Sequence, residues 1–362
     1  MLLYFMLHVA LFIKDRITEQ TYPNGTRTVQ ITSPTINTDT QHSSQINCGK
    51  VMKKPSKPLA MASVFSRRCA SSLATAVSGD GVQIAWQRYS PKNAMPHAPP
   101  LLLVHGFACG KDDWGALIKM LGSKTKREVL SFDHRGVGES DSPSGAYSVD
   151  QMAMDAAAVL DASGSPSAHV LGISLGGMIA QSLALQQRRS HVRSLVLGCT
   201  THGGREATPP PSSFLSLCAS WAAGGGLSDA SDDPNESELV PQFMKFMLPE
   251  ATSAERLDHY REYFVKHTRR SHAGLQGQLA AMGRFNTTDQ LKALGTETPT
   301  LVLCGSEDAV MPLANSKSLN ARIPGSQLLV HQGAGHFWWA HDPVYVVSEV
   351  ARFLQRVDDR SS

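Results

Sequence analysis

Short apolar runs recur along the chain and alternate with stretches in which apolar residues return every three or four positions. The runs are Leu101-Leu102-Leu103-Val104, Val129-Leu130-Ser131-Phe132, Val170 and Leu171, residues 194–199, Thr300-Leu301-Val302-Leu303-Cys304 and Gln327-Leu328-Leu329-Val330. Runs this short, without polar alternation, predict strands buried on both faces. Residues 81–89 (GVQIAWQRY) alternate instead and predict an outer strand. Between these, residues 114–121 predict a short helix. Ser148 with Gln151 makes a capping-box signature, after which Met152, Ala156, Val159 and Leu160 share one face of a helix reaching about Ser163. Met178, Ile179, Leu183 and Leu185 repeat that spacing in a further helix. Strands linked through helices need crossover connections, so the sheet is predicted to be largely parallel, with ligands outside the carboxyl ends of its strands.

The alternation breaks between about residues 200 and 294. There Pro209-Pro210-Pro211, Gly224-Gly225-Gly226 and an acidic run from Asp229 to Glu238 separate helical pieces near 214–222, 240–247 and 253–270. A helical insertion at the ligand end of a sheet predicts a lid. Its basic residues Arg261, Lys266, His267, Arg269, Arg270 and His272 are expected to form a solvated helix face.

The N-terminal part has a different texture. Residues 1–13 are apolar but shorter than the roughly 20 residues that span a bilayer, and lack a signal peptide's charged flank and cleavage site, so neither secretion nor a stable membrane span is expected. Residues 18–57 are Thr, Ser, Asn, Gln and Pro without periodicity, and residues 1–60 are expected to be a disordered extension. Residues 61–78 carry Arg67, Arg68 and several serines with no acid before Asp80, as a mitochondrial transit peptide does. Its start at Met61 points to an over-extended start site for what precedes it. The alternative is a Ser/Ala-rich linker on a cytoplasmic protein. A folded domain is expected over residues 79–357.

Composition narrows the chemistry. Of 362 residues, 41% are hydrophobic and 18% charged, and the formal net charge of +3 is spread over both signs, which argues against a nucleic-acid partner. The six cysteines show no C-x-x-C spacing and no dense framework, so neither a metal site nor a disulfide scaffold is expected. The oligomeric state is not read from the sequence.

Candidate chemistry gathers at the ends of the predicted strands. Gly172-Ile173-Ser174-Leu175-Gly176 stands where a strand becomes a helix, which would force Ser174 into a tight turn at a helix N-terminus. G-x-S-x-G alone is five common residues; the strand before it and the helix after it give it meaning. His105-Gly106-Phe107 follows another strand, so the N–H groups of Phe107 and Leu175 are candidates for an oxyanion hole. Gly305-Ser306-Glu307-Asp308 and Gly333-Ala334-Gly335-His336 end two later strands and bring an acid, Asp308 or Glu307, and a general base, His336. Phe337, Trp338 and Trp339 follow the histidine and, with Phe107, Trp114 and Met178, would line a substrate pocket or simply fill the core. His105 is expected to brace its loop, and Asp133 and Arg135 to form an internal ion pair. Gly136 and Gly138 lack the remaining residues of a phosphate loop.

Taken in order, His105-Gly106-Phe107, Asp133-His134-Arg135-Gly136, residues 172–176, residues 305–308 and Gly335-His336 resemble the alpha/beta-hydrolase family over about residues 78–357. The resemblance implies a mostly parallel eight-stranded sheet with helices on both faces and a helical lid, and the order Ser174, Asp308, His336 for the triad. It also favours Asp308 over Glu307. The textures GISLGGMIAQ, SLVLGCTTHGG and RIPGSQLLVHQGAGH resemble small serine esterases and lactonases akin to oxoadipate enol-lactonase and the aclacinomycin methylesterases. Relatives with an aspartate or cysteine at the elbow are excluded by Ser174. What is implied is a serine hydrolase without cofactor or metal, acting on a small-molecule or lipid ester. Carbon-carbon bond hydrolysis, amide hydrolysis and a non-catalytic binding role on the same fold remain alternatives.

Overall fold

The computed structural model describes residues 17–21, 27–31, 73–186, 191–225, 233–234 and 237–360. The chain divides into two units, residues 2–67 and residues 68–362. In the first, β1 (Ile17–Thr21) and β2 (Arg27–Ile31) pair antiparallel, with Ile17 opposite Ile31. Part of the stretch expected to be disordered is therefore paired. Ile17, Thr18, Thr21, Thr28, Val29 and Ile31 are β-branched, a local preference that the overall polarity of the segment conceals. The expected leader from Met61 lies outside the described residues up to position 72.

The second unit is built on eight strands: β3 (Ala74–Val77), β4 (Gln83–Tyr89), β5 (Leu101–Val104), β6 (Val129–Phe132), β7 (Ala168–Ile173), β8 (Val192–Gly198), β9 (Thr300–Gly305) and β10 (Gln327–His331). Their order across the sheet is β10-β9-β8-β7-β5-β6-β4-β3. Only β3 with β4 and β4 with β6 run antiparallel. Most of the apolar runs became interior strands, and every residue of β5, β6, β7 and β9 is buried. Gln327-Leu328-Leu329-Val330, expected to be buried on both faces, instead forms β10 at the edge of the sheet and stays exposed or half-buried, because a strand pairs with it on one side alone among the described residues. Burying a Leu or Val side chain stabilises by roughly 1.5–3 kcal/mol, so Leu101, Leu102, Leu103 and Val104 alone anchor the centre of the sheet. β3 corrects the expected domain boundary. Its four residues lie inside the stretch assigned to a leader or linker, too few to reveal an edge strand by alternation.

The helices are α1 (Leu117–Thr125), α2 (Val149–Ala162), α3 (Leu175–Leu185), α4 (Ser212–Ala222), α5 (Leu239–Met247), α6 (Ala254–His267), α7 (His272–Arg284), α8 (Leu291–Glu297), α9 (Leu313–Arg322) and α10 (Pro343–Asp359). α2 packs on α3, and α10 on α1, and these layers cover the sheet. The capping box of α2 is complete: Gln151 N–H donates to Ser148 Oγ (3.1 Å) and Ser148 N–H to Gln151 Oε1 (2.9 Å). α4 to α8 form the helical insertion between β8 and β9. α10, absent from the sequence reading, is capped by Asp342, opens with Pro343, and buries Val346, Val347, Val350, Phe353, Leu354 and Val357 along one face.

Asp133 and Arg135 do not pair with each other. Asp133 accepts from Lys111 Nζ (2.8 Å) and Lys111 N–H (2.7 Å), whereas Arg135 reaches Asp155 on α2 (2.7 Å) and Asp80 (2.9 Å). The turn after β6 sends the two side chains to different neighbours, and each finds its counter-charge on another element.

Candidate active site

β7 and α3 meet at Ser174, whose backbone lies at φ 55°, ψ −120°, a region side-chain-bearing residues rarely occupy. An ideal Cβ on Gly172 would lie 2.2 Å from the Gly176 carbonyl oxygen, and one on Gly176 would lie 2.0 Å from that of Val104. Glycine at both positions is what lets α3 start so close to β5 and β7. Ser174 N–H donates to Gly198 O (2.9 Å), and Thr200 Oγ1 donates to Ser174 O (2.7 Å), so the turn is held from both sides. The serine hydroxyl is left at the N-terminus of α3, in a residue that is itself almost wholly buried.

The segment after β5 flanks that hydroxyl: a Cβ on Gly106 would lie 3.3 Å from Ser174 Cβ and 3.8 Å from its Oγ. Cys109 N–H donates to Gly106 O (3.3 Å), closing a turn with Phe107 and Ala108 at its centre. Among the described residues, no backbone carbonyl accepts the N–H of Phe107 or that of Leu175, the first residue of α3. These are the two donors expected at an oxyanion hole. His105 braces the loop as expected: its Nδ1 accepts the Gly106 N–H (2.8 Å), its carbonyl accepts from His134 Nε2 (2.8 Å), and its ring lies 4.2 Å from that of Trp114. Complete burial holds its pKa well below the usual imidazole value, so it is neutral.

The acid and the histidine arrive from outer strands on two loops laced together. Ser306 N–H donates to His331 O (3.0 Å), Glu307 N–H to Ala334 O (2.9 Å), and Gly333 N–H to Ser306 Oγ (2.8 Å). His336 Nδ1 lies 3.0 and 2.9 Å from the two carboxylate oxygens of Asp308. Asp308 Oδ1 also accepts the N–H groups of Val310 (2.8 Å) and Met311 (2.9 Å), while Glu307 is exposed. Asp308 is therefore the acid that meets the histidine. A carboxylate only accepts, so Nδ1 carries the proton and Nε2 of the neutral ring keeps its lone pair.

Cys199, which the sequence reading passed over, joins this pair to the elbow. It follows Gly198, the acceptor for Ser174 N–H, and its Sγ, an Asp308 oxygen and a His336 nitrogen all lie within 4.8 Å of one another. Among the described residues no other His/Cys/Asp/Glu trio is close enough to share a metal ion. Burial and the Asp308 charge hold the thiol well above its ordinary pKa, so the sulfur keeps its proton beside that carboxylate. With Asp308 and His336 already paired, the trio reads as a hydrogen-bonded group.

The expected pocket residues divide. Phe337 stacks beside His336 (6.3 Å between rings), and Met178 lies buried on the first turn of α3. Trp114 is buried against His105 and Trp339, and Trp338 is buried with its indole nitrogen against Gly198, so both support the loops from the core. The sequence reading expected the insertion to line the pocket but named none of its residues: Phe107 packs on Trp221 (6.2 Å) and Phe243 (6.3 Å), and Phe243 on Phe214 (5.9 Å) and Phe264 (5.6 Å). The spacing of Phe214, Leu217 and Trp221 in α4, and of Val240, Phe243 and Met247 in α5, carried that signal.

A family model described as alpha/beta hydrolase fold matches residues 99–338, which hold the elbow, the Phe107 loop, Asp308 and His336. The chain belongs to the alpha/beta hydrolase fold family. This alpha/beta hydrolase is 29% identical over 263 residues to a provisionally named carbamate hydrolase, RutD, of Azorhizobium caulinodans, covering 72% of this chain and 92% of that one. It is similar to the crystal structure of esterase RhEst1 from Rhodococcus sp. ECU1013, with TM-score 0.63 and 26% identity over 79% of this chain and 99% of that one. It shares its fold with the enol-lactonase of Burkholderia xenovorans LB400, with TM-score 0.65 and 20% identity over 78% of this chain and all of that one (100%).

Proposed function

We propose that this alpha/beta hydrolase is a cofactor-independent serine hydrolase that cleaves a carboxylic ester or lactone of a small or lipid-like substrate through an acyl-enzyme. The observation that carries the reading is the strained Ser174 elbow beside the Phe107 loop, with the Asp308–His336 pair on the same rim of the sheet. His336 Nε2 takes the Ser174 proton as the hydroxyl attacks the substrate carbonyl. Asp308 keeps the ring in the required tautomer and stabilises the imidazolium that forms. The N–H groups of Phe107 and Leu175 receive the oxyanion, and donors of this kind are each worth roughly 10²–10³ in kcat. The imidazolium then protonates the leaving oxygen, and water activated by His336 clears the acyl group.

The aromatic groups of Phe107, Phe214, Trp221, Phe243 and Phe264 support an apolar acyl or alcohol moiety, with the insertion acting as a lid. The esterase and lactonase names of similar proteins point the same way. A fluorophosphonate probe tests the reading: the wild type takes the label and Ser174→Ala does not. A folded wild type that stays unlabelled overturns it. Nitrophenyl esters of increasing chain length, set beside a lactone, an aryl carbamate and a carbon-carbon hydrolase substrate, rank the substrate classes. For the leader, a reporter fused to residues 61–78 and found in the cytosol would overturn mitochondrial import.

A further inference from the structure

We propose that Gln278 and Arg270, both from the helical insertion, are positioning residues that clamp Ala108 and thereby aim the Phe107 N–H; the inference rests on the serine-hydrolase reading above. Ala108 N–H donates to Gln278 Oε1 (2.9 Å), and Arg270 Nε donates to Ala108 O (2.7 Å). All three residues are buried. Ala108 has φ 61° and stands third in the turn from Gly106 to Cys109, where positive φ ordinarily calls for glycine. An alanine there does not hold that conformation unaided. With its N–H and its carbonyl both tied, the peptide planes on either side of Ala108 are fixed, and Phe107 forms one end of the first. On the other side of Phe107, Gly106 N–H is tied to His105 Nδ1 (2.8 Å). Phe107 is thus held from both neighbours, while among the described residues no backbone carbonyl accepts its own N–H.

The clamp is anchored at its far ends. Gln278 Nε2 donates to Arg135 O (3.1 Å), and Arg135 is itself held by Asp155 and Asp80. Arg270 Nη1 donates to Phe264 O (3.0 Å) and Thr268 O (2.6 Å), Nη2 lies 3.5 Å from Asp113, and the guanidinium sits 3.5 Å from the centre of the Phe264 ring. Arg270 was expected on a solvated face with its basic neighbours. Lys266, His267 and Arg269 are exposed as that expectation had it, but Arg270 turns inward because the Ala108 carbonyl and Asp113 give a buried guanidinium its partners. The insertion and the oxyanion hole therefore form one mechanical unit, and the hole is complete only while α7 is seated.

Gln278→Leu removes the acceptor, Gln278→Glu keeps one in the same place, and Arg270→Lys keeps the charge but loses the Nε donor. Each is assayed with p-nitrophenyl butyrate, and its affinity is measured for a trifluoromethyl ketone, which forms an oxyanion on Ser174, and for the matching methyl ketone, which mimics bound substrate. For Gln278→Leu, kcat is expected to fall by about 10- to 100-fold with KM within about twofold. The trifluoromethyl ketone weakens by the same factor and the methyl ketone does not. Gln278→Glu, which keeps the acceptor for Ala108 N–H but loses the Nε2 donor to Arg135 O, recovers part of the loss. Arg270→Lys, read in the same way, decides the matter where Gln278→Leu does not fold. Folded variants with wild-type kcat, or equal weakening of both ketones, overturn the clamp while leaving the hydrolase standing. A wild type that neither labels with fluorophosphonate nor turns over the ester removes both.

Discussion

Asp308→Asn is the most informative single substitution in this molecule. Asp308 Oδ1 accepts two backbone N–H groups, from Val310 and Met311, so the oxygen of an asparagine is drawn to that side and its NH₂ is turned toward His336. A donor then faces Nδ1, which can hydrogen-bond only by losing its proton, and the neutral ring carries its hydrogen on Nε2. In the mechanism proposed above, His336 would then no longer offer Ser174 a lone pair. Loss of the correct tautomer at such a site lowers kcat by about 10⁴, which at about 1.36 kcal/mol per tenfold is about 5.4 kcal/mol of lost transition-state stabilisation. KM changes little, because nothing that binds substrate has moved. Glu307→Gln is the companion variant: that side chain is exposed, and the residue's N–H bond to Ala334 is untouched. Nitrophenyl ester hydrolysis, with kcat followed from pH 6 to 9, reads both. Asp308→Asn keeping more than about a tenth of wild-type kcat, or Glu307→Gln losing as much, would refute the assignment.

Three further outcomes follow from the geometry. Gly176→Ala places a Cβ 2.0 Å from Val104 O and 2.4 Å from His105 O, so α3 must lift off β5; a loss of about 1–3 kcal/mol or more in thermal melts is expected, whereas Gly79→Ala, with nothing within 4 Å, stays near wild type. Arg135→Met strands the buried Asp155 carboxylate and costs about 3–5 kcal/mol by denaturant titration, part of which Arg135→Met with Asp155→Leu restores; a single variant as stable as wild type contradicts this. His105, neutral in the fold, takes a proton below pH 6.5 only when the chain unfolds, so its contribution to stability is present above that pH and is lost as pH falls, by about 1.4 kcal/mol per unit. His105→Gln should lessen that acid slope, to which His134 and His169, also held below the usual imidazole value by burial, contribute as well, and an unchanged slope would show that the residue protonates in place.

Much of this could be read along the chain because it is local. A buried parallel strand is an unbroken apolar run, and the residue that ends it must stand at the rim of the sheet, so Ser174, His336 and an acid, Asp308 or Glu307, could be placed at one rim before any coordinates; the choice of Asp308 came from the family resemblance. What escaped was settled across distance. Arg135 has Asp133 two positions away yet pairs with Asp155 and Asp80, because packing chooses the partner. Arg270 reads as one more charge on a polar helix until Ala108 O is seen against it. Cys199 carries no motif; only the fold brings its sulfur to Asp308 and His336. β3 was too short for its period to register. In the insertion the aromatic spacing was present in the sequence, but which way those faces turn depends on Phe107.

The sheet distributes its reactive groups unevenly. The alcohol rides on β7, enclosed by neighbours on each side, while the imidazole hangs from β10, a border strand with partly solvated residues and, among the described strands, β9 alone as its hydrogen-bonded companion. On the proposed mechanism, fraying from that border would carry the base away while leaving the serine in its seat. Mild warming would then yield a folded but silent population, and activity would return on cooling without any need to rebuild the centre.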